Sequence, residues 1–314
     1  MPTFTEISEV VGGLVGPWVF LSYSLYYLPG TVLRLLRSAD FATLTSPSRL
    51  QDAWFSAFWG WAGPNIREGN SDRMVALLEG RVTRGDVVED PVHPPVSGVV
   101  LEIGPGSGLW VDLFSNRGEK PDASRSGGGS SSSSSSSSSR NSGVRRRVAE
   151  GVTKVYGVEP NTEVHPALKK RVHDAGLEGA YEIVPTGIES LSDPTAAWGG
   201  KIEKGSVDCI VSILCLCSIP EPERNINELY YSYLKKGGRW YLFERVKATR
   251  SWPIRLYQRV VNLVWPRALN GCQLCPSTEK TLRSAGPWHD IDVLQPPSEP
   301  WFQVVPHILG ILTK

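Results

Sequence analysis

From residue 99 onward, short apolar runs alternate with longer segments whose apolar positions recur at helical spacing. The longest run, 206–218, has the continuous apolar character of a central strand in a parallel sheet. Five alternations of strand and helix predict an α/β fold with a doubly wound parallel sheet. The predicted strands are 99–103, 154–159, 181–184, 206–218 and 239–244, and the predicted helices between them include 109–114, 162–175 and 228–234.

The last part of the chain predicts further elements around this sheet. Residues 252–265 form an apolar segment that contains two arginines, which is typical of a helix packed near the N-terminal segment or a membrane surface. Two apolar runs, 290–294 and 302–312, are separated by P-P-S-E-P. They predict a closing antiparallel hairpin.

The N-terminal segment is apolar and carries no charged residue between Val10 and Leu33. Its length would just span a bilayer, but three glycines and Pro17 predict a break near its start, which leaves a shorter helix that ends before Pro29. Its tryptophan and tyrosines favour a membrane interface. Residues 1–40 are therefore predicted to be a monotopic or hairpin-like membrane anchor, with a buried first helix of the globular domain as the alternative.

Charges around the anchor predict its orientation. Glu6 and Glu9 precede it, whereas Arg34 and Arg37 follow it, so the positive-inside rule puts the rest of the chain in the cytosol. A cleaved signal peptide is not expected because no positive region comes first. The predicted location is a membrane such as the endoplasmic reticulum or a lipid droplet, with the cytoplasm as the alternative.

Residues 41–96 are predicted to be a helical extension and linker, and residues 97–314 the main domain. The aromatic stretch 54–61 has helical spacing, which is typical of a helix packed over the domain; a lid over an apolar substrate is the alternative. Residues 117–150 hold ten consecutive serines and cannot bury enough apolar surface to fold. They predict a disordered surface insertion.

Net charge and cysteine content narrow the function classes. The formal net charge is +1 and no basic stripe is present, which disfavours nucleic acid as a partner. Five cysteines, an odd number, suit a reducing compartment better than a disulfide framework. The oligomeric state is not predicted.

The first predicted strand runs directly into a glycine turn, V-V-L-E-I-G-P-G-S-G at 99–108. Gly104, Gly106 and Gly108 allow a cofactor to approach the backbone. In the dinucleotide fingerprint the third glycine would fall on Leu109, so the spacing argues against NAD. Glu102, inside the strand, suits the ammonium and sulfonium of S-adenosylmethionine better than a pyrophosphate.

A second acidic residue supports the same cofactor. Glu159 ends the second strand 51 residues beyond Gly108, or 17 when 117–150 is left out. A carboxylate about 20 residues past the turn is where an adenosine ribose meets the second strand. Further predicted cofactor contacts are Pro160, Ile188 over the adenine face, Gly187 or Glu189 at its polar edge, and Leu214 at the crevice end of the fourth strand.

Together the motifs resemble the type 11 group of class I S-adenosylmethionine-dependent methyltransferases, which are Rossmann-like. They look most like the methyltransferase-like protein 7 family of membrane-associated thiol methyltransferases. The resemblance rests on 100–108, Y-G-V-E-P-N at 156–161, 206–219, L-K-K-G-G at 234–238, V-P-H-I-L-G at 305–310 and the apolar N-terminus. It implies S-adenosylmethionine as cofactor and thiol methylation as activity. Where the family commonly has E-H-V, this chain has Glu244-Arg245-Val246.

Two residue groups have open roles. His307 is the candidate general base, with a structural histidine as the alternative, and a thiol acceptor would need little base. Asp208 is interpreted as structural. Cys215, Cys217, Cys272 and Cys275 could be imagined as a zinc site, but free core cysteines are the preferred interpretation and no metal is predicted.

The predicted function is methyl transfer to a small, lipophilic thiol or hydroxyl at a membrane surface. The alternative is a catalytically inactive, membrane-associated binding or scaffold protein that retains the fold.

Overall fold

A computed structural model describes residues 4–115, 151–193, 195 and 198–314. The predicted insertion at 117–150 lies entirely outside the described residues. The described strands are β1 (Val82–Thr83), β2 (Asp86–Val87), β3 (Gly98–Ile103), β4 (Val152–Val158), β5 (Tyr181–Val184), β6 (Val207–Ile213), β7 (Leu234–Arg245), β8 (Asp290–Leu294) and β9 (His307–Thr313).

Seven of these strands form one sheet in the order β5-β4-β3-β6-β7-β9-β8. Strands β3 to β7 pair in parallel, whereas β9 pairs antiparallel with both β7 and β8. The doubly wound sheet and the closing antiparallel pair are thus confirmed. Strand order reverses at β3, which has β4 on one side and β6 on the other. In such sheets, ligands bind at the carboxyl ends of the strands beside this reversal.

Helices pack on both faces of the sheet and over one end. The described helices are α1 (Phe4–Arg37), α2 (Phe41–Thr45), α3 (Pro47–Leu78), α4 (His165–Asp174), α5 (Pro222–Glu228), α6 (Trp252–Val261), α7 (Trp265–Ala268) and α8 (Thr278–Ser284). Single turns of 3-10 helix occupy Val111–Phe114, Thr162–Val164 and Ile188–Ser190.

The N-terminal helix differs from its prediction. Helix α1 is one helix of 34 residues that contains Pro17 and Pro29, so the predicted break and the predicted end before Pro29 are wrong. Each proline removes an intrahelical hydrogen bond, but one face of α1 is held by the domain. Ser24 Oγ donates to the Ala268 carbonyl at 2.7 Å, and Tyr257 OH donates to the Leu14 carbonyl at 2.7 Å.

Helix α1 lies against α3, α6 and α7 instead of standing free. Leu21, Phe58 and Trp265 belong to the apolar cluster between these helices, and each is at most 4% exposed. By length and composition alone, the helical residues 6–37 could cross a membrane, and 17% of the most apolar 18-residue stretch within them is buried in the protein. The same test is passed by core helices and by signal sequences, so the anchor stays a prediction, as does the division at 40 and 96.

Other differences concern element boundaries. Helix α3 extends the predicted helix at 54–61 in both directions. The predicted crossover helix at 228–234 starts six residues earlier, because Pro222 favours a first helical turn. A π-helical turn at Leu229–Tyr233 follows it, and β7 begins directly afterwards at Leu234, five residues before the predicted start of this strand at 239. Residues 302–306 form turns, so β9 starts only at His307. The small β1–β2 hairpin was not predicted.

Candidate active site

The glycine turn after β3 presents bare backbone to a crevice. Gly104 and Gly106 have φ of +63° and +57°, a backbone conformation that is strained for residues with a side chain. A Cβ at Gly104 would lie 2.6 Å from the Cβ of Cys215, so the turn and the loop after β6 approach too closely for alanine. A Cβ at Gly106 would meet only Trp59 Nε1, at 3.8 Å. Gly106 therefore borders open space, where a ligand can reach the backbone.

Glu159 follows β4 and joins the two turns. Its Oε2 accepts from the Gly106 amide at 2.8 Å, and its Oε1 accepts from the Asn161 amide at 2.9 Å. The residue is 8% exposed. Burial raises the pKa of Glu159 to about 7, although the hydrogen bonds from the two amides lower it. Each oxygen keeps a second lone pair, so the carboxylate can still accept hydroxyl hydrogen bonds.

A cavity of 280 Å³ opens at the carboxyl ends of β3, β4 and β6. It lies at the strand-order reversal, as expected for a ligand site in this type of sheet. Eight of the predicted cofactor residues line it, namely Gly104, Gly106, Glu159, Pro160, Gly187, Ile188, Glu189 and Leu214.

The structure does not bring Glu102 or Gly108 to this cavity. Successive side chains of a strand point to opposite faces, and Glu102 is 3% exposed, with a carboxyl group that accepts from Tyr181 OH at 2.6 Å. Burial raises the pKa of Glu102 to about 7. Gly108, at φ +83°, packs against Leu168. Both residues lie on the side of the turn that faces away from the cavity, and their direct contact with a cofactor stays a prediction.

A family model described as a methyltransferase domain matches residues 86–284. This chain belongs to the methyltransferase domain family. It has the class I fold, and S-adenosylmethionine is the cofactor of this class. The motifs had resembled the type 11 group of the same class, and the matching model is Methyltransf_23.

The chain is also similar to curated thiol S-methyltransferases. TMT1B of Rattus norvegicus is 31% identical over 165 residues, which cover 51% of this chain and 62% of that protein. TMT1B and TMT1A of Homo sapiens are each 33% identical, over 116 and 115 residues, and each alignment covers 36% of this chain and 46% of the human protein. The chain thus spans less than two thirds of the length of these relatives.

The cavity of the methyltransferase domain fits S-adenosylmethionine. Gly106 lines the cavity, and a Cβ on it would meet only Trp59 Nε1, so the bare turn leaves room for a ligand at the backbone. The Glu159 carboxylate has free lone pairs for the ribose hydroxyls. Ile188, 4% exposed and at the cavity wall, offers an apolar surface for the adenine.

Helix α3 supplies a wall of the cavity that the sequence prediction did not assign. Phe55 and Trp59 line the cavity and stack with centroids 5.3 Å apart. Their spacing of four residues in the aromatic stretch was the available signal, which was interpreted as packing with a lid as the alternative. Asn161 ties this helix to the site, because its side-chain amide donates to Ser56 Oγ at 3.3 Å.

Glu244 holds the loop that follows β6. It is fully buried, and its carboxylate accepts from the backbone amides of Cys215 at 3.3 Å and Leu216 at 3.1 Å. Burial raises the pKa of Glu244 to about 7. Leu214, between β6 and these amides, has φ +57°, which is strained for leucine. The loop therefore keeps Leu214 at the cavity against its own backbone preference.

A second cavity, of 360 Å³, lies between α1 and the sheet. Its wall includes Gly12, Gly13 and Gly16 of α1. Ile66, Leu214 and Arg245 line this cavity and the cofactor cavity alike. The two cavities are therefore adjacent at these three residues.

His307 lines the second cavity and not the cofactor cavity. Its Nδ1 lies 2.7 Å from Glu299 Oε1, and its ring stacks on Phe243 with centroids 4.7 Å apart. Burial lowers the pKa of His307 below its ordinary value of 6.5, although Glu299 opposes this. The imidazole is therefore neutral near pH 7. With Nδ1–H donated to Glu299, Nε2 is the nitrogen that can accept a proton.

The remaining candidates have structural surroundings. Asp208 accepts from the Val99 amide at 2.7 Å and pairs with Lys235, which agrees with a structural role. Cys215 donates its thiol to Glu244 at 3.4 Å, whereas Cys217 lies beside Cys272. Within the described part of the chain, no group of three or more His, Cys, Asp or Glu side chains could hold a metal ion.

Proposed function

We propose that this chain transfers the methyl group of S-adenosylmethionine to a small, lipophilic thiol at a membrane surface. The observation that supports this most is that two cavities are adjacent and share Ile66, Leu214 and Arg245 in their walls. One is lined by eight of the predicted cofactor residues, and the other is bordered by the apolar helix α1. The thiol S-methyltransferases to which the chain is similar favour sulfur as the acceptor atom.

When bound, S-adenosylmethionine supplies an activated methyl group. In our proposal Glu159 accepts hydrogen bonds from the ribose hydroxyls, Ile188 covers the adenine, and the backbone of Gly104 and Gly106 borders the amino acid part. Gly187 and Glu189 lie at the polar edge of the adenine. The chain thereby orients the donor, and orientation supplies much of the catalysis in a displacement of this kind.

The acceptor is proposed to enter through the second cavity from a bilayer. Helix α1 carries an outer stripe of exposed apolar residues, which consists of Val11, Val15, Val19, Tyr23 and Tyr26. Because its other face is held by the domain, α1 fits a position within the interface better than a free span. We propose that the catalytic domain is cytosolic and docks on the endoplasmic reticulum or a lipid droplet.

We propose His307 as the catalytic base and Glu299 as its positioning residue. The neutral imidazole lines the second cavity, where Nε2 can take the proton of an acceptor. General bases contribute about 10²- to 10⁴-fold where a proton must be removed. An aryl thiol is largely ionised near neutral pH and has little need of a base, whereas an alkyl thiol does need one.

The test uses the full chain, S-adenosylmethionine and three acceptors that share one ring, thiophenol, phenol and aniline. We expect methylated thiophenol together with S-adenosylhomocysteine, and slower or no product from the other two. A chain that binds the cofactor but methylates no thiol would contradict the proposal and favour the binding or scaffold alternative.

The base is tested with His307→Asn, and His173→Asn on the exposed face of α4 is the matched control. We expect kcat for benzyl thiol to fall roughly 100-fold in His307→Asn while kcat for thiophenol changes little. Equal losses for both thiols would indicate a structural histidine. No loss for either thiol would exclude His307 as a base.

A further inference from the structure

Two cysteines from distant parts of the chain meet at the wall of the cofactor cavity. Cys217, in the loop after β6, and Cys272, after α7, have Sγ atoms 2.8 Å apart. They are 4% and 3% exposed, and both line the cavity. The Gln273 amide donates to the Cys217 carbonyl at 2.8 Å, which fastens the two segments to each other. The fold therefore holds the two thiols together at the cavity wall.

Arg245 gives this pair a charge. Its Nη1 donates to Cys272 Sγ at 3.3 Å, and the side chain is buried. Its Nε finds no hydrogen-bond partner, and no carboxylate lies within 4.0 Å of its guanidinium, among the residues that the structure describes. A buried guanidinium stays charged and is costly without a nearby anion. A thiolate on Cys272 supplies that anion.

Arg245 distinguishes the two sulfur atoms, because either thiol could donate to the other but only Cys272 also accepts from the guanidinium. The Cys217 hydrogen bond and the charge of Arg245 lower the pKa of Cys272 to about 6, although burial opposes this. The pKa of Cys217 is raised well above its ordinary value by the same hydrogen bond and by burial. Near neutral pH the pair is thus one thiolate beside one thiol. This is the state in which dithiols attack disulfides.

We propose that Cys217 and Cys272 form a thiol–disulfide exchange site that reduces small lipophilic disulfides inside the cavity. The thiolate of Cys272 attacks one sulfur of the disulfide, the substrate S–S bond breaks, and the first product leaves as a thiolate that takes a proton from solvent. Cys217 then attacks Cys272 Sγ, and its proton goes to the second departing thiolate. The substrate gains two electrons and becomes two thiols, while the cysteine pair becomes a disulfide that an external dithiol reduces again.

This activity goes beyond methyl transfer and needs no methyl donor. It would release free thiols beside the donor site, so an acceptor that arrives as a disulfide could become methylated. A shared metal site is a poorer account of the pair, because Cys215 is engaged with Glu244 and Cys275 is absent from the cavity lining.

The experiment mixes the reduced, desalted full chain with 4,4′-dithiodipyridine in the absence of S-adenosylmethionine. We expect a fast release of two thiopyridone molecules per chain and a peptide that links Cys217 to Cys272 in mass spectra. Cys217→Ser should release one and retain a pyridyl adduct on Cys272. Cys272→Ser should slow the fast phase at least tenfold, whereas Cys275→Ser, a half-buried cysteine outside the pair, should behave as the wild type.

A fast phase that persists in Cys272→Ser, or two equivalents released by Cys217→Ser, would overturn the proposal. Retained binding of S-adenosylhomocysteine shows that a variant is folded. If a variant does not fold, the wild-type mass spectrum still decides, because a missing Cys217–Cys272 link refutes the exchange site. Since no methyl donor is present, the result is independent of whether the chain proves to be a methyltransferase.

Discussion

Glu159 allows a sharp test of the cofactor site, because its carboxylate joins the glycine turn to the second strand. In Glu159→Gln the side chain keeps its size but only one oxygen remains. The Gly106 and Asn161 amides now both donate to this carboxylate, so one of them would face the new NH₂ group. Ribose hydroxyls would also lose a charged acceptor. Hydrogen bonds to charged groups are worth about 1.5–3 kcal/mol each.

We therefore expect Glu159→Gln to weaken binding by about 2–4 kcal/mol, or roughly 30- to 1000-fold in Kd. The assay is isothermal titration calorimetry with S-adenosylhomocysteine. Glu163→Gln, on the exposed turn that follows, is the matched control and should bind as the wild type. Thermal unfolding of both variants separates loss of the ligand contact from loss of the fold.

The same carboxylate predicts how binding depends on pH. Burial raises the pKa of Glu159 to about 7 in the free protein, whereas hydroxyl donors stabilise its ionised form. Protons therefore compete with the ligand, and Kd should rise about tenfold as the pH falls from about 8 to about 6. Glu159→Gln should lose this dependence. Two results would refute the reasoning. One is a wild-type Kd that does not change between about pH 8 and about pH 6. The other is a Kd of Glu159→Gln that exceeds the wild-type Kd by less than about threefold.

Two further substitutions test the turn and the membrane surface. Gly104→Ala should abolish cofactor binding and lower Tm, because φ is +63° and the new Cβ would lie 2.6 Å from the Cβ of Cys215. The control Gly179→Ala has open space around the new Cβ and should change neither property. Calorimetry measures the binding, and thermal unfolding measures Tm. Serine at the three valines of the outer stripe of α1 should remove the chain from phospholipid vesicles in a flotation assay without unfolding it. Val92→Ser, an equally exposed valine elsewhere, should leave flotation unchanged, and continued flotation of the triple variant would contradict the proposed docking face.

Local sequence patterns predicted the core of the fold well. The parallel strands β3 to β6 and the antiparallel closing pair follow from apolar runs and turn residues, which depend on near neighbours. The glycine turn and Glu159 were predicted to bind the same cofactor, and the structure places them together, with the Gly106 amide 2.8 Å from the Glu159 carboxylate. This worked because the carboxyl ends of adjacent parallel strands must lie at one edge of the sheet.

Patterns of single residues were less informative where packing competes with propensity. Pro17 and Pro29 predicted breaks, yet α1 continues through both, because contacts along one face hold the helix. Glu102 was predicted at the cofactor; the structure places it outside the cavity lining, bonded to Tyr181, and its contact with the cofactor stays a prediction. The predicted helix at 228–234 also shifted: it starts earlier, at Pro222, and its last residues form a π-helical turn whose tyrosines at 230 and 233 are buried in the core.

The sequence by itself determined the α/β class, the order of strands and helices, the cofactor turn and the apolar character of α1. Only the tertiary structure decided which distant side chains share a space. It brought His307 to a second cavity beside α1 and closed Cys217 onto Cys272, 55 residues away along the chain. Periodicity is a property of neighbouring residues, whereas such meetings depend on how long crossovers fold back across the sheet, which no local pattern records.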